Sequence, residues 1–372
     1  MMKINRIILS GGGTGGHIYP ALAIYNRMKE LNPDLECLYI GTDKGLEASI
    51  VPKANIDFKS IEISGLKRSL SLDNIKVAWQ MLTSTQKAKK LIKEFQPELV
   101  IGTGGFVCAP VLYGATQLGI PTLIHEQNSV AGVTNKFLSR FVDKVATSFY
   151  EVENDFAKVS HKVAFTGNPR GQEVTNYAKD EHILSKNYDF NDQLPTVLIF
   201  GGSRGAPAIN KAAVESIEAF ANKEYQVIIG TGSVHHSEWM TYIEENQIKI
   251  PNNVKIVPYI DNMPALFQSI DLVVCRSGAT TLAELTTLGL PSILIPSPYV
   301  TNNHQEMNAM ALVNNQAAEM IKEDRLDSNQ LVQTIDQMIL DQTSLNKMAE
   351  NAKKLGTPHA IDDIITIVES IH

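Results

Sequence analysis

Ile7-Ile8-Leu9-Ser10-Gly11-Gly12-Gly13-Thr14-Gly15-Gly16-His17 reads as a short apolar strand, a glycine-rich turn and the start of a helix. Val197-Leu198-Ile199-Phe200-Gly201-Gly202-Ser203-Arg204-Gly205-Ala206 repeats that order almost two hundred positions on. Two copies of one strand–turn–helix opening predict two doubly wound α/β domains. Outward from these, further apolar runs alternate with segments of helical periodicity: Cys37–Ile40, Leu99–Ile101, Thr122–Ile124 and Lys162–Phe165, then Val227–Ile229, Val254–Val257, Leu272–Val274 and Ile293–Ile295. Strands that are apolar on both faces belong to parallel sheets covered by helices on both sides.

The 372 residues suit two domains of ordinary size. The expected divisions are 1–166, 167–350 and a last helical segment, 351–372, free to pack on either domain. The boundary follows Phe165, where residues 167–195 are rich in Asn, Asp, Lys and Gln and weak in periodicity. A net charge of −7 and a pI near 5.8 argue against a general nucleic-acid binder. Cys37, Cys108 and Cys275 are widely spaced and sit in apolar runs, which predicts small buried hydrophobes in a reducing compartment. No apolar run approaches the roughly 20 residues of a membrane span.

Five stretches carry candidate chemistry. Gly11–Gly16 brings backbone N–H groups to a helix N-terminus, where a phosphate or sugar can bind. Its Gly11, Gly13 and Gly16 also satisfy GxGxxG, but the second strand ends Tyr39-Ile40-Gly41-Thr42 with no acid to hold a cofactor ribose. His17 would stand at the mouth of a cleft as a candidate base; its plainer role is capping or packing. Gly201–Ala206 is the matching turn of the second domain, with the Ser203 hydroxyl available to a diphosphate, unless it is only a tight turn. Arg276-Ser277-Gly278-Ala279-Thr280-Thr281-Leu282-Ala283-Glu284 reads as an anion-holding helix start with a carboxylate about two turns in. Such a carboxylate suits the hydroxyls of a ribose, although most glutamates in helices are merely solvated. Asn302–Asn308 and His125-Glu126-Gln127-Asn128 are polar stretches after strands, suited to sugar hydroxyls or to nothing more than a loop.

With these motifs in order, the chain closely resembles the MurG family of peptidoglycan GlcNAc transferases. GGGTGGHIYPALAI at Gly11, GLEASIVPKANIDF at Gly45, GTGGFVCAP at Gly102, HEQNSVAGVTNK at His125, GNPR at Gly167, GGSRGA at Gly201, CRSGATTLAE at Cys275 and HQEMNA at His304 carry the likeness. The resemblance implies a GT-B fold, two Rossmann-like domains with parallel sheets facing a central cleft. The first would serve the acceptor and face the membrane; the second would bind UDP-GlcNAc. It implies transfer of GlcNAc from UDP-GlcNAc to the MurNAc C4 hydroxyl of lipid I (undecaprenyl-pyrophosphoryl-MurNAc-pentapeptide), giving lipid II with inversion. Thr14, Gly15 and Gly16 would face the donor sugar and diphosphate, and Asn128 the GlcNAc. Ser203 would lie at the phosphate and the Ile260 backbone at the uracil. Ala279, Thr280, Thr281 and Leu282 would line the diphosphate, with Glu284 on the ribose and Gln305 and Asn308 on sugar hydroxyls. Arg170 is a further nucleotide contact in the pattern, although Gly167-Asn168-Pro169-Arg170 is one residue shorter than the GNPVR form. Arg204 and Phe106 also depart from the residues usual at their positions.

His17 is the first candidate base and Glu126 the second. No Asp-x-Asp pair stands in a suitable loop, so no protein-bound metal is expected in the catalytic step; no cofactor is expected either. The rival readings are a GT-B glycolipid synthase with another UDP-sugar or lipid acceptor, an NAD-dependent oxidoreductase, and a non-catalytic nucleotide-sugar-binding subunit. The expected location is cytoplasmic, peripheral on the inner face of the cell membrane. Docking on an anionic surface would use 67–95, where Lys67, Arg68, Lys76, Lys87, Lys89, Lys90 and Lys93 are interleaved with Leu70, Leu72, Ile75, Trp79 and Leu82, unless this is an ordinary amphipathic helix whose apolar face is core and whose lysines are solvated.

Overall fold

The computed structural model describes residues 4–65, 73–202 and 204–372. Two compact units divide the chain, 1–172 with 359–372 and 173–358. The first contains β1 (Arg6–Ser10), β2 (Glu36–Gly41), β3 (Asp57–Ser60), β4 (Leu99–Gly102), β5 (Thr122–Glu126), β6 (Lys144–Thr147) and β7 (Val163–Phe165). Their order in the sheet is β3-β2-β1-β4-β5-β6-β7, and every pairing is parallel. The second contains β8 (Thr196–Phe200), β9 (Gln226–Gly230), β10 (Val254–Val257), β11 (Leu272–Cys275), β12 (Ser292–Leu294) and β13 (Glu319–Met320). Here the order is β10-β9-β8-β11-β12-β13, again all parallel.

Each sheet reverses its direction of growth once, between β1 and β4 and between β8 and β11. A crevice opens beyond the carboxyl ends of the strands at such a reversal, and ligands bind there in open α/β sheets. Both glycine-rich turns leave the sheet at these two places. The central strands are buried apart from Arg6 at the start of β1: Ile8 lies beside Leu38 and Val100, and Leu198 beside Ile228 and Val273.

The helices of the first unit are α1 (Gly15–Leu31), α2 (Glu47–Lys53), α3 (Asp73–Phe95), α4 (Cys108–Thr116), α5 (Val133–Leu138) and the start of α6 (Pro169–Val174). The second has α7 (Ile183–Tyr188), α8 (Pro207–Glu215), α9 (His236–Glu245), α10 (Met263–Phe267), α11 (Ala279–Leu288), α12 (His304–Val313), α13 (Ser328–Ile339) and α14 (Gln342–Lys354). The polar stretch 167–195 therefore carries two short helices, and Ile183, Leu184 and Phe190 give it a buried side. In α13, Leu331, Thr334, Ile335, Met338 and Ile339 are buried, the spacing of one helical face. Asp327 caps that helix by accepting from the Gln330 N–H at 2.7 Å.

The last helix, α15 (Ala360–Ile371), belongs to the first unit. Its Ile361, Ile364, Ile365 and Val368 join the core formed by Ile7, Leu9, Ile18 and Leu22. Gln172 closes its N-terminus, accepting from the Ile361 and Asp362 N–H groups at 2.7 and 3.1 Å. Asp362 in turn accepts from Arg27 at 3.0 Å and from Gln172 at 2.8 Å. Cys37, Cys108 and Cys275 are free and buried, and burial pushes each thiol above its usual pKa. Among the described residues no helix is long and apolar enough to cross a membrane.

Candidate active site

At the first reversal, β1 delivers Gly11–Thr14 and β4 delivers Thr103–Gly105. Thr14 is extended and caps α1, so the Gly15 and Gly16 amides precede the first intrahelical bonds. The turn that presents them is fixed from below by Glu47. This carboxylate is fully buried on α2 and accepts from the Gly13 N–H at 3.0 Å and from the Thr42 N–H and hydroxyl at 3.1 and 2.7 Å. Gly13 takes φ +85°, a conformation that favours glycine.

His17 sits in the first turn of α1, half-buried. Its Nδ1 lies 3.0 Å from the Thr103 carbonyl oxygen and 3.1 Å from Gln127 Oε1. Both partners are acceptors, so Nδ1 carries a proton, and in the neutral ring the lone pair is on Nε2. Thr103 also donates its hydroxyl to the His17 carbonyl at 2.7 Å. Gly104 has φ +109°, and a Cβ on it would stand 2.7 Å from His17 Nδ1; the imidazole occupies the space that glycine leaves.

At the end of β5, successive side chains part to opposite sides. Gln127 meets both His17 and His125, whereas Glu126 holds its own loop. The Glu126 carboxylate accepts from Asn128 N and Nδ2 at 3.1 and 3.3 Å, from Gly132 N at 2.9 Å and from Asn135 Nδ2 at 2.8 Å. It is 1% exposed and met by donors on both oxygens, so receiving a substrate proton would disrupt the loop that carries Asn128. Of the two candidate bases, His17 has the more suitable geometry. Arg170 lies at the start of α6 with its guanidinium 5.6 Å over the ring of Tyr19, two residues beyond His17.

At the second reversal, β8 leads into Gly201–Gly205 and β11 into Arg276–Gly278. Ser203 lies outside the described residues. Gly278 caps α11 in an extended conformation, leaving Ala279, Thr280 and Thr281 in its first turn. The Thr280 hydroxyl oxygen is buried and has no hydrogen-bond partner among the described residues. Leu282 is buried and its N–H already donates to the Gly278 carbonyl at 3.0 Å, so, against the expectation, neither its side chain nor its amide is open to a diphosphate.

Glu284 is 6% exposed, unlike an ordinary solvated helix glutamate. Burial, and after it the Glu284 charge, raises the pKa of the Cys275 thiol. The turn before α11 is tied to α12: Ser277 donates to the Gln305 carbonyl at 2.7 Å and Asn308 donates to the Ser277 carbonyl at 3.2 Å. Gln305 Oε1 accepts from Ser297 N at 2.9 Å, and Asn308 is fully buried. Ile260 and Tyr259 line a recess with Phe200, Gly202, Gly230 and Met263. Among the described residues, no group of three or more His, Cys, Asp or Glu is gathered as metal ligands would be.

Residues 7–147 match the N-terminal domain of glycosyltransferase family 28, and 196–364 match its C-terminal domain. The UDP-N-acetylglucosamine--N-acetylmuramyl-(pentapeptide) pyrophosphoryl-undecaprenol N-acetylglucosamine transferase of Pediococcus pentosaceus is 51% identical over 366 residues. That alignment covers 98% of this chain and 99% of the relative. Transferase 1 of the same description from Bacillus anthracis is 52% identical over 368 residues, with 98% and 99% covered. The crystal structure of Acinetobacter baumannii MurG superposes with a TM-score of 0.76 at 25% identity, covering 98% of this chain and 99% of that one.

The chain belongs to the MurG family. It is a glycosyltransferase of the GT-B fold, which sets aside the oxidoreductase reading of GxGxxG. Two positions in this MurG-family chain, Glu47 and Thr103, are not marked by the local sequence as parts of a site. Glu47 stands 34 residues from the Gly13 it holds, although the string at Gly45 already contained it. Thr103 lies in the string at Gly102 and Gln127 in the polar stretch at His125, but their contacts with His17 depend on the order β1-β4-β5. That order could have directed attention to them.

Proposed function

We propose that this MurG-family chain transfers GlcNAc from UDP-GlcNAc to the MurNAc C4 hydroxyl of lipid I, producing lipid II for peptidoglycan synthesis. The observation that carries the reading is His17 held as the Nδ1–H tautomer beside the Gly15–Gly16 helix start, in a chain alignable over nearly its whole length with transferases of that description. The C4 hydroxyl attacks C1 of the α-linked sugar and passes its proton to His17 Nε2. The new O4–C1 bond forms as the bond from C1 to the diphosphate oxygen breaks, and that electron pair leaves with UDP. Attack from the face opposite the leaving group gives a β-1,4 linkage. The amides of Ala279–Thr281 and the positive end of α11 can hold the departing charge, with Thr280 donating its unused hydroxyl. Glu284 takes the ribose, and the recess at Ile260 takes the uracil.

The acceptor's lipid tail calls for docking on the inner face of the cell membrane, through local basic and apolar groups. Part of the basic stretch 67–95 lies outside the described residues. In its described part Trp79 is 67% and Leu82 65% exposed on α3. α3 packs on α4, and α4 on α5. Tyr113 of α4, Phe137 of α5 and Phe141 form an aromatic cluster with ring centroids 5.0–5.9 Å apart, and Lys136 and Arg140 precede the two phenylalanines in sequence.

His17→Ala tests the chemistry. Turnover with a lipid I analogue, followed as UDP release, should fall by roughly 10²–10⁴ while UDP affinity is kept. Near-normal turnover in the folded variant would remove His17 as the base.

A further inference from the structure

A chain of hydrogen bonds runs from His17 into the interior of the first unit. Gln127 is 2% exposed; its Nε2 is 2.9 Å from His125 Nδ1 and 3.0 Å from the His125 carbonyl oxygen. The Nε2 of His125 lies 2.9 Å from the Gly167 carbonyl, which can only accept, and 3.3 Å from the Ser148 hydroxyl. His125 therefore donates from Nε2 and offers a lone pair at Nδ1. Only the NH2 end of Gln127 can meet that lone pair, so its oxygen is turned to His17. The direction of the amide follows from a backbone carbonyl two side chains away.

We infer that Gln127 is a positioning residue for the transfer reaction. It holds His17 with its proton on Nδ1 and stabilises the imidazolium that forms when Nε2 accepts the acceptor's proton, and His125 fixes which end of the Gln127 amide does so. This rests on the reading of His17 as the base. The Thr103 carbonyl alone would favour the same tautomer; the Gln127 oxygen adds a second acceptor whose partial negative charge is worth most when the ring is charged.

The titratable groups on the neighbouring elements have other partners among the described residues. Glu47 on α2 bonds Gly13 and Thr42, Tyr39 on β2 donates to the Gly11 carbonyl, and Cys108 on α4 bonds Ser10 and Gly104. Glu126 on β5 holds its own loop, and Arg170 on α6 lies over Tyr19. His125 is fully buried, and desolvation lowers its pKa to about 4, so it is neutral where the enzyme would work.

The test is 15N NMR of the histidine-labelled, full-length protein across pH, with wild type compared with Gln127→Met and Gln127→Glu. Wild-type His17 should show a pyrrole-type Nδ1 and a pyridine-type Nε2 when neutral. In Gln127→Met its titration midpoint should move down by about one pH unit, the size of one lost hydrogen bond to a charged group. The acid limb of kcat/KM should move with it, and kcat should fall about tenfold with the donor KM unchanged, since that bond is strongest in the transition state. Gln127→Glu places a carboxylate beside Nδ1 and should move the midpoint up, which keeps the test open if the Met variant folds poorly. Unchanged midpoints in both variants would overturn the inference. If His17→Ala keeps its turnover while the midpoints shift as described, the base assignment fails and the positioning geometry stands.

Discussion

The two histidines of the first site stand in different surroundings, and the difference can be measured. His125 is buried and held neutral, with its pKa at about 4, whereas an unfolded histidine titrates near 6.5. Between those values the unfolded chain binds a proton that the folded chain refuses. Stability is therefore unaffected by His125 above about pH 6.5 and declines as pH falls toward 4, by up to about 3 kcal/mol. Carboxylates titrate in the same range, so the comparison must be with His125→Asn. Urea unfolding between pH 4.5 and 7.5 should show a shallower dependence in the variant; equal slopes would mean that His125 is not held neutral. On the second unit the informative residue is Glu284. It is buried in the second turn of α11, and if it receives a ribose Glu284→Ala should weaken UDP binding by about 1.5–3 kcal/mol, the range for hydrogen bonds to a charged group. Isothermal titration decides it, and unchanged affinity in a folded variant removes the assignment.

At the scale of elements, the strands legible in the sequence are those rich in apolar residues. Most are buried on both faces, although β7 and β10 are partly exposed edge strands that are legible too. Ile7–Leu9, Leu99–Ile101, Val197–Phe200 and Leu272–Val274 are continuous apolar runs because central parallel strands meet helices above and below. The strands that were not read lack that signal. β3 is Asp57-Phe58-Lys59-Ser60 at a sheet edge, partly exposed, and β13 is two residues at the edge of the other sheet. β6 is an inner strand, but Lys144-Val145-Ala146-Thr147 contains only two apolar residues in sequence. The site divides in the same way. Glycine turns and the α11 start were legible because one local segment contains them. The grip of Glu47 on Gly13 and the direction of the Gln127 amide arise from residues far apart in the chain. The basic stretch on α3 carries its own prediction. Reversing Lys87, Lys89 and Lys90 to Glu should reduce co-sedimentation with anionic vesicles, since each basic group near such a surface contributes about 1 kcal/mol. Lys90 already pairs with Glu94 at 3.8 Å, so Lys87 and Lys89 should account for most of the loss. UDP affinity and melting temperature should hold, and equal vesicle binding would take this face out of the docking surface.

For the molecule as a whole, the contribution of α15 to the first unit is large. Four aliphatic side chains from this one helix enter a core built by β1, β2 and α1, each worth about 1.5–3 kcal/mol when fully buried. Deleting 359–372 should therefore unfold or strongly destabilise the first unit while leaving 173–358 folded. Calorimetry should then show the second unit's transition persisting alone. Two transitions at wild-type temperatures would show that α15 is dispensable.

The chain crosses between the units twice, after 172 and again after 358, so that 173–358 is an insertion within the first unit. This sets an order of events during synthesis. Domains fold as units while the ribosome is still translating. Residues 173–358 hold everything their unit needs once they have emerged, whereas the first unit, although made first, waits for the helix that follows them. Until then its sheet bears an uncovered apolar face where Ile361, Ile364, Ile365 and Val368 will lie. The earlier-made unit is thus the later-finished one, and during that interval it is the part of the nascent protein most in need of protection by a chaperone.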